Sequence, residues 1–266
     1  MNDPLLNFDG KVALVTGGSR GLGYQMAKAL AERGADIIVA SRKVEACEKV
    51  AEEVRGLGRR ALAIGAHCGK WDEIDRLIET AYAEFGRVDI LVNNAGMGPR
   101  MASHEVPESL YDSVLNLNLK GPYRLASVIG QRMKAQGSGS ILNISSVAAL
   151  QPLAQVVPYS AAKAGLNAMT IGMAKEYAPE VRVNCICAGP FLTDIAEAWT
   201  EEARQTADNA LRRPGRPKEI VSAALYLLSD AARKQTVEGL NAALASGKIS
   251  HAIAKRVPLK DTAAAH

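Results

Sequence analysis

A chain of 266 residues, 48% of them hydrophobic and 23% charged, is long enough to form one large α/β domain with a substantial core. Its net charge of +4 is spread along the sequence, so no basic block predicts a surface for nucleic acid or for a membrane. No stretch approaches about 20 continuous apolar residues and no signal peptide is visible, so we expect a cytoplasmic protein without a membrane span.

Apolar runs and amphipathic stretches alternate along the chain, without repeats or low-complexity linkers. We predict strands over residues 11–16, 36–41, 61–66, 88–93, 139–145 and 181–187. We predict helices over residues 21–33, 43–57, 71–85, 107–135, 158–177 and 217–229. This alternation predicts a single-domain α/β fold, with a doubly wound, mostly parallel sheet of Rossmann type and ligands bound beyond the carboxyl ends of the strands.

A glycine-rich turn joins the first predicted strand to the first predicted helix. Gly17 permits a tight turn, Gly21 lets the backbone approach a pyrophosphate, and Gly23 lets the helix pack closely on the strand. The amino terminus of the helix then attracts phosphate groups. Because this loop lies between a strand and a helix, it predicts a dinucleotide site, although its spacing is G-x-x-x-G-x-G and not the common G-x-G-x-x-G.

A tyrosine and a lysine, Tyr159 and Lys163, lie four residues apart in a predicted helix, so their side chains share one face. An ammonium beside a phenol favours the phenolate, so we expect the pKa of Tyr159 to lie below its usual value of about 10. Such a tyrosine can exchange a proton with a substrate oxygen. The alternative is an ordinary solvated helix face, on which this pair is common.

Five segments carry a resemblance to a known family: TGGSRGLG at 16–23, NNAG at 93–96, Asn118 in NLKG, ISS ending at Ser146, and YSAAK at 159–163. They occur in the order and at the spacings of the short-chain dehydrogenase/reductase family. The chain resembles that family from about residue 10 to about residue 232.

The resemblance implies a catalytic role for four residues. Tyr159 is then the acid in carbonyl reduction and the base in the reverse direction, while Lys163 lowers the pKa of Tyr159 and binds the ribose of the nicotinamide. Ser146 donates a hydrogen bond to the substrate oxygen, and Asn118 positions a water that joins Lys163 to solvent. Turn-forming or local structural roles for Ser146 and Asn118 are the alternatives.

Cofactor contacts are expected at the ends of the strands. The full set is Gly17, Ser19, Arg20, Gly21, Leu22, Gly23, Ser41, Arg42, His67, Cys68, Asn94, Ala95, Gly96, Tyr159, Lys163, Gly189, Phe191 and Thr193. The second strand ends in Ser41 and Arg42, where an NAD enzyme usually places a carboxylate. A guanidinium there can bind a 2′-phosphate, so we predict NADP(H) in preference to NAD(H). The alternative is that Arg42 lies at a solvated helix start.

The chain departs from the family pattern at three places. His67 and Cys68 stand where an aspartate often contacts adenine, and Ala188 replaces a proline before Gly189. Residues from about 190 to 213 are expected to form a mobile flap, in which Trp199 is either a pocket lid or a packing residue. No metal site is predicted, because no pair of cysteines or histidines has ligand spacing.

The third departure is the carboxyl-terminal segment. The family domain is expected to span residues 1–232, and residues 233–266 form an atypical tail packed on it. From about Thr236 the sequence resembles the tail of the zinc-independent quinone reductases of the medium-chain family. We expect a helix over 236–246, and as a hypothesis residues 249–257 occupy the free sheet edge. A homodimer built on the helices near 107–135 and 158–177 is expected, or a homotetramer.

The resemblance therefore implies an NADP(H)-dependent carbonyl reductase or secondary-alcohol dehydrogenase. Its small-molecule substrate could be a sugar acid, a 3-oxoacyl thioester, a steroid or a simple ketone. The alternative is an NADP(H)-binding scaffold or inactive homologue, impaired by its altered carboxyl end. A sugar-nucleotide epimerase or dehydratase would require a longer chain and another glycine spacing.

Overall fold

A computed structural model describes residues 6–193, 196, 199–207 and 209–230. Six parallel strands form one sheet in the order β3-β2-β1-β4-β5-β6. They are β1 (Val12–Thr16), β2 (Asp36–Ser41), β3 (Ala61–Gly65), β4 (Ile90–Asn93), β5 (Gly139–Ser146) and β6 (Val181–Ala188). The predicted parallel sheet is confirmed, with strand ends shifted by one or two residues.

Helices connect the strands and cover both faces of the sheet. They are α1 (Gly21–Ala31), α2 (Val44–Gly56), α3 (Trp71–Phe85), α4 (Glu108–Leu115), α5 (Gly121–Gln136), α6 (Val157–Tyr177), α7 (Glu201–Gln205) and α8 (Val221–Leu228). None of the described helices is both long and apolar enough to cross a membrane. Contacts group the described residues up to Ser229 into one compact unit. The tail predicted over 233–266, with its helix and extended stretch, lies outside the described residues.

The two faces of the sheet are buried in separate cores because successive side chains of a strand point to opposite sides. In β1, Ala13 and Val15 pack with α1, α2 and α8, whereas Val12 and Leu14 pack with α3, α5 and α6. Such double burial explains why the strands read as continuous apolar runs.

The predicted helix over 107–135 is present, but its middle is not α-helical. A π-helical segment, Asn116–Lys120, separates α4 from α5. A π turn has i→i+5 hydrogen bonds in place of i→i+4, and apolar periodicity predicts only an ordinary helix here. Such segments occur frequently at functional sites, and this one contains Asn118.

A chain of buried amides links β4, β5 and α6 below the ends of the strands. Asn93 Nδ2 donates to Asn143 Oδ1 at 2.9 Å, and Asn143 Nδ2 donates to Thr170 Oγ1 at 2.9 Å. Thr170 Oγ1 in turn donates to the carbonyl oxygen of Leu166 at 2.7 Å. These bonds fix the distance of α6 from the centre of the sheet.

Replacing Asn143 with leucine, which has a similar volume, is expected to lower the free energy of unfolding by about 1–3 kcal/mol. The buried amide of Asn93 would keep only its longer bond to the carbonyl oxygen of Pro122 at 3.4 Å, and loss of the shorter one costs about that much. Urea unfolding measures the change. The exposed control Asn7→Leu should stay within about 0.5 kcal/mol of wild type, and an equal effect of both substitutions would argue against the amide chain.

Candidate active site

Two side chains hold the glycine loop after β1 against the end of β4. Asn94 Nδ2 donates to the carbonyl oxygens of Thr16 at 2.9 Å and of Gly17 at 3.2 Å. Thr16 Oγ1 accepts from the backbone amides of Asn94 at 3.0 Å and Ala95 at 3.2 Å. The side chain of Asn94 is therefore used to shape the loop, and Ala95 and Gly96 continue from it along the edge of the sheet.

The amino terminus of α1 is built to face an anion. The side chain of its N-cap residue, Arg20, makes no capping hydrogen bond, and its first turn contains no acidic residue. Gly17 has a φ of +63°, a left-handed conformation that favours glycine. A Cβ on Gly23 would stand 2.3 Å from the carbonyl oxygen of Gly17, so only glycine lets the helix start this close to the loop. The uncapped amides and the helix dipole both attract phosphate.

Two of the predicted cofactor cations follow neighbouring strands. β1 and β2 pair in parallel, with Thr16 beside Ala40. Arg20 and Arg42 come shortly after these ends, and both residues are exposed. Ser41 is half-buried, and its carbonyl oxygen accepts from the amide of Ala66 at 2.9 Å.

The residues after β3 are used mainly to build their own turn. The amide of His67 donates to Glu73 Oε2 at 2.7 Å, and His67 Nδ1 accepts from the amide of Gly69 at 3.1 Å. The Cys68 side chain packs in the core, where burial raises the pKa of its thiol to about 12. Contact between Cys68 and a ligand is thus limited to its backbone.

Ser146 and Tyr159 meet where β5 ends and α6 begins. Ser146 is the last residue of β5, and its Oγ accepts from the amide of Ala148 at 3.1 Å. Ser145 Oγ donates to the carbonyl oxygen of Lys163 at 3.3 Å, which fastens α6 to β5. Burial raises the pKa of Tyr159, and a hydrogen bond with the Ser146 side chain partly opposes this rise.

Lys163 lies in the same helix face as Tyr159, but the expected lowering of the tyrosine pKa is wrong for this arrangement. Lys163 is 3% exposed, and its Nζ donates to the carbonyl oxygen of Ile144 at 2.8 Å. Nζ lies 5.7 Å from the centre of the Tyr159 ring. Burial lowers the pKa of Lys163 to about 8. Desolvation is the largest cause of both pKa shifts.

The π segment brings the side chain of Asn118 close to Lys163. Asn118 Nδ2 donates to the carbonyl oxygens of Met97 at 2.8 Å and of Val114 at 2.9 Å. Its Oδ1 is buried and has no hydrogen-bond partner within the described part of the chain. A Cβ on Gly96 would stand 2.7 Å from this oxygen and 3.5 Å from Lys163 Nζ. The orphaned oxygen and the lysine therefore flank Gly96 on one side.

The segment after β6 turns back toward the glycine loop. A Cβ on Gly21 would stand 3.4 Å from Thr193 Cγ2, so Thr193 lies beside the glycine loop. Phe191 packs against the core and pairs with Gly215 in a parallel bridge. Gly189 precedes this bridge and faces open space, with nothing within 4 Å of its Cβ position. The bridge closes the base of the predicted flap.

One group of residues at this edge was not predicted. A recess beside Tyr159 is lined partly by Val106, Leu110 and Val114, of which the last two belong to α4. A Cβ on Gly98 would stand 3.2 Å from the Tyr159 ring, so the backbone there packs on the ring face. Val106, Leu110 and Val114 belong to no motif, and helical periodicity alone does not show which face borders a site.

These features fit a nicotinamide dinucleotide. The uncapped start of α1 matches a pyrophosphate, and the buried donors and the orphaned acceptor around Gly96 match a ribose and an ordered water. Of the predicted residues, Gly17, Gly21, Gly23, Gly96, Asn118, Ser146, Tyr159, Lys163 and Thr193 lie along one edge of the sheet.

The chain is similar to known proteins over most of its length. The family model for short chain dehydrogenase matches residues 11–204. Dehydrogenase/reductase SDR family member 4 of Bos taurus is 34% identical over 249 residues, covering 91% of this chain and 88% of that protein. The 2-dehydro-3-deoxy-D-gluconate 5-dehydrogenase of Escherichia coli strain K12 is 38% identical over 231 residues, covering 85% of this chain and 90% of that protein.

The similarity to one solved structure extends from the sequence to the fold. It is that of a 7α-hydroxysteroid dehydrogenase complexed with NADH and 7-oxo glycochenodeoxycholic acid. The two chains share 33% identity and a TM-score of 0.83, covering 87% of this chain and 92% of that one. The chain therefore belongs to the short-chain dehydrogenase family, whose members are oxidoreductases that act on alcohols and carbonyl compounds.

Proposed function

We propose that this protein is an NADP(H)-dependent oxidoreductase that interconverts a carbonyl group and a secondary alcohol, with Tyr159 as its acid and base. The observation that carries the proposal is the convergence of Ser146, Tyr159, Lys163 and the orphaned Asn118 oxygen beside the uncapped start of α1. When bound, the nicotinamide supplies or accepts the hydride.

The protein's own residues handle the proton and the developing charge. Burial raises the pKa of Tyr159, so its hydroxyl carries a proton at neutral pH and can donate it to a carbonyl oxygen. Ser146 Oγ accepts from the amide of Ala148, so its own proton is available for donation, and in our proposal it turns from Tyr159 to the same oxygen and stabilises it. In our proposal, a water held by Asn118 Oδ1 and Lys163 Nζ returns protons to Tyr159.

The preference for NADP(H) is supported by charge at the end of β2. Ser41 and Arg42 stand where NAD enzymes place a carboxylate, and Arg20 follows the neighbouring strand. The 33% identical hydroxysteroid dehydrogenase holds NADH, so membership of the family does not decide between the two cofactors.

Replacing Arg42 with alanine is expected to weaken NADPH binding by roughly tenfold to a hundredfold and to change NADH binding by less than about threefold. A charge-assisted hydrogen bond contributes about 1.5–3 kcal/mol, and only NADPH offers the 2′-phosphate. Fluorescence titration with both cofactors measures this. Lys49→Ala, on the exposed face of α2, is the control for net charge. Equal weakening of both cofactors would reject a 2′-phosphate site at Arg42.

Turnover separates an enzyme from a binding scaffold. The relatives named above act on a keto acid and on a steroid, so the panel needs both polar and apolar carbonyl compounds. We expect NADPH to bind and at least one compound to be reduced. The loss of NADPH absorbance measures this reduction. NADPH binding without turnover of any compound would favour the scaffold. The resemblance of the tail to quinone reductases stays a prediction.

We further propose that the protein forms a homodimer or homotetramer through α5 and α6. Tyr123 on α5 and Ile171 on α6 are exposed by 47% and 59%, and in our proposal they become buried between two copies of the chain. Sedimentation of a monomer at micromolar concentration would contradict this.

A further inference from the structure

An apolar recess opens beside the Tyr159 ring. It lies between the loop after β4, the face of α4 and the start of α6. Apart from Tyr159 and Gln155, its lining consists of Pro99, Met101, Val106, Leu110, Val114 and Pro158. Because the recess borders the tyrosine, whatever it binds lies next to the proposed reacting carbonyl.

Beside Tyr159, the one polar side chain in this lining is Gln155, and both of its oxygens are engaged. Gln155 Oε1 accepts from Arg100 Nη2 at 3.2 Å, and the carbonyl oxygen of Gln155 accepts from the amide of Met101 at 2.8 Å. No charged side chain is among the described lining residues. Of these side chains only the Gln155 amide and the Tyr159 hydroxyl could pair with a polar group, so a substrate arm with several hydroxyl or carboxylate groups would leave some of them unpaired, which is unfavourable.

A segment next to the recess in sequence also exposes apolar side chains. It runs from Ser146 to Gln155 and exposes Leu150 by 66% and Leu153 by 56%. Contiguous exposed apolar surface is typical of binding sites. Here they lie on the segment that supplies both the hydrogen-bond donor Ser146 and one wall of the recess.

We propose that the recess binds an apolar arm attached to the carbonyl carbon of the substrate. The substrate class is then ketones and secondary alcohols with an aliphatic or aromatic arm, and not polyhydroxylated acids. This inference rests on the proposed function. With the arm in the recess, the carbonyl oxygen lies toward the hydroxyls of Tyr159 and Ser146, so burial of the arm also orients the reacting group.

A matched series of ketones tests the size and polarity of the arm. We expect kcat/KM to rise about tenfold from 2-butanone to 2-hexanone, because each buried methylene contributes about 0.8 kcal/mol. We expect 5-oxogluconate to be reduced at least about tenfold less efficiently than 2-hexanone, since its hydroxyls would be desolvated. A kcat/KM for 5-oxogluconate equal to or above that for 2-hexanone would overturn the inference.

Paired leucine variants localise the effect. Leu110→Asn places an amide in the wall of the recess, whereas Leu57→Asn changes a 45% exposed leucine at the end of α2. We expect Leu110→Asn to lower kcat/KM for 2-hexanone about tenfold with unchanged NADPH affinity, and Leu57→Asn to leave both unchanged. Equal behaviour of the two variants would overturn the inference.

A binding measurement without turnover keeps this inference separate from the proposed function. Saturation transfer from protein to 2-hexanone, observed by NMR in the absence of cofactor, should persist in Leu57→Asn and weaken severalfold in Leu110→Asn. If no carbonyl compound is reduced but saturation transfer depends on Leu110, the proposed function is wrong and the assignment of the recess is supported. If ketones are reduced but neither kcat/KM nor saturation transfer depends on Leu110, the proposed function is supported and the assignment of the recess is wrong.

Discussion

Replacing Tyr159 with phenylalanine is expected to lower kcat for carbonyl reduction by about 10²–10⁴-fold, the usual contribution of a positioned acid. The ring should keep its place, because it packs against the backbone at Gly98, whose Cβ position lies 3.2 Å from it. Only the hydroxyl is lost, so NADPH affinity should fall by no more than about tenfold, the effect of losing one hydrogen bond to the cofactor. Steady-state kinetics and fluorescence titration measure the two quantities.

A second tyrosine supplies the control for this substitution. Tyr226 on α8 is 42% exposed and makes no contact with the site in the described structure. Tyr226→Phe should therefore leave kcat unchanged. A loss of less than about tenfold for Tyr159→Phe would reject the acid role, since a positioned acid contributes at least about 10²-fold.

The pH dependence should differ between the two directions of reaction. Alcohol oxidation needs the Tyr159 phenolate as base, and burial raises the pKa of this phenol. Below that pKa, the fraction of phenolate grows about tenfold per pH unit, so the rate of oxidation should rise with pH. Carbonyl reduction needs the protonated phenol and should show no such rise. An oxidation rate that is flat between about pH 7 and 9 would place the base elsewhere.

Much of the fold could be predicted because its signals are local. Each strand of a sheet buried on both faces is a short apolar run, and each covering helix has one apolar face. In α1, for example, three of the four residues on the predicted apolar face, Met26, Ala29 and Leu30, are buried, and the fourth, Leu22, is half-buried. The π segment at Asn118 could not be predicted, because apolar periodicity does not distinguish a single π turn from the α-helix around it.

The candidate site shows the same division between local and long-range information. Spacing placed Lys163 beside Tyr159, but spacing does not reveal burial, and burial decides both pKa values. The Nζ of Lys163 instead donates to the carbonyl oxygen of Ile144 in β5. Likewise, the recess formed by α4 arises from tertiary packing, and residues such as Leu110 carry no chemical signature in the sequence.

Replacing Lys163 with methionine is expected to raise the free energy of unfolding at pH 7 by about 2 kcal/mol. Burial lowers the pKa of Lys163 from 10.5 to about 8. That difference of about 2.5 pKa units corresponds to a cost of about 3 kcal/mol for keeping the charged lysine in the folded protein at neutral pH. Loss of the hydrogen bond from Nζ to Ile144 offsets about 1 kcal/mol of the gain.

The sign of the pH dependence distinguishes this cause from better packing. Between pH 8 and 10.5, the unfolded lysine binds more protons than the folded one, so wild-type stability should rise with pH in this window. The advantage of Lys163→Met should therefore be largest below pH 8 and shrink toward pH 10.5. Urea unfolding at several pH values measures it, and Lys175→Met, an exposed position of α6, is the control with an expected change under about 0.5 kcal/mol.

The same variant should lose carbonyl reduction by at least about 10²-fold, because Lys163 is proposed to hold the ribose and the proton-relay water near Tyr159. A protein that becomes more stable as it loses turnover would show that the buried ammonium is retained for chemistry at a cost in stability. Lower stability of Lys163→Met at pH 7, or a difference from wild type that does not change with pH, would mean that Lys163 is a structural residue whose charge is well solvated in the folded protein.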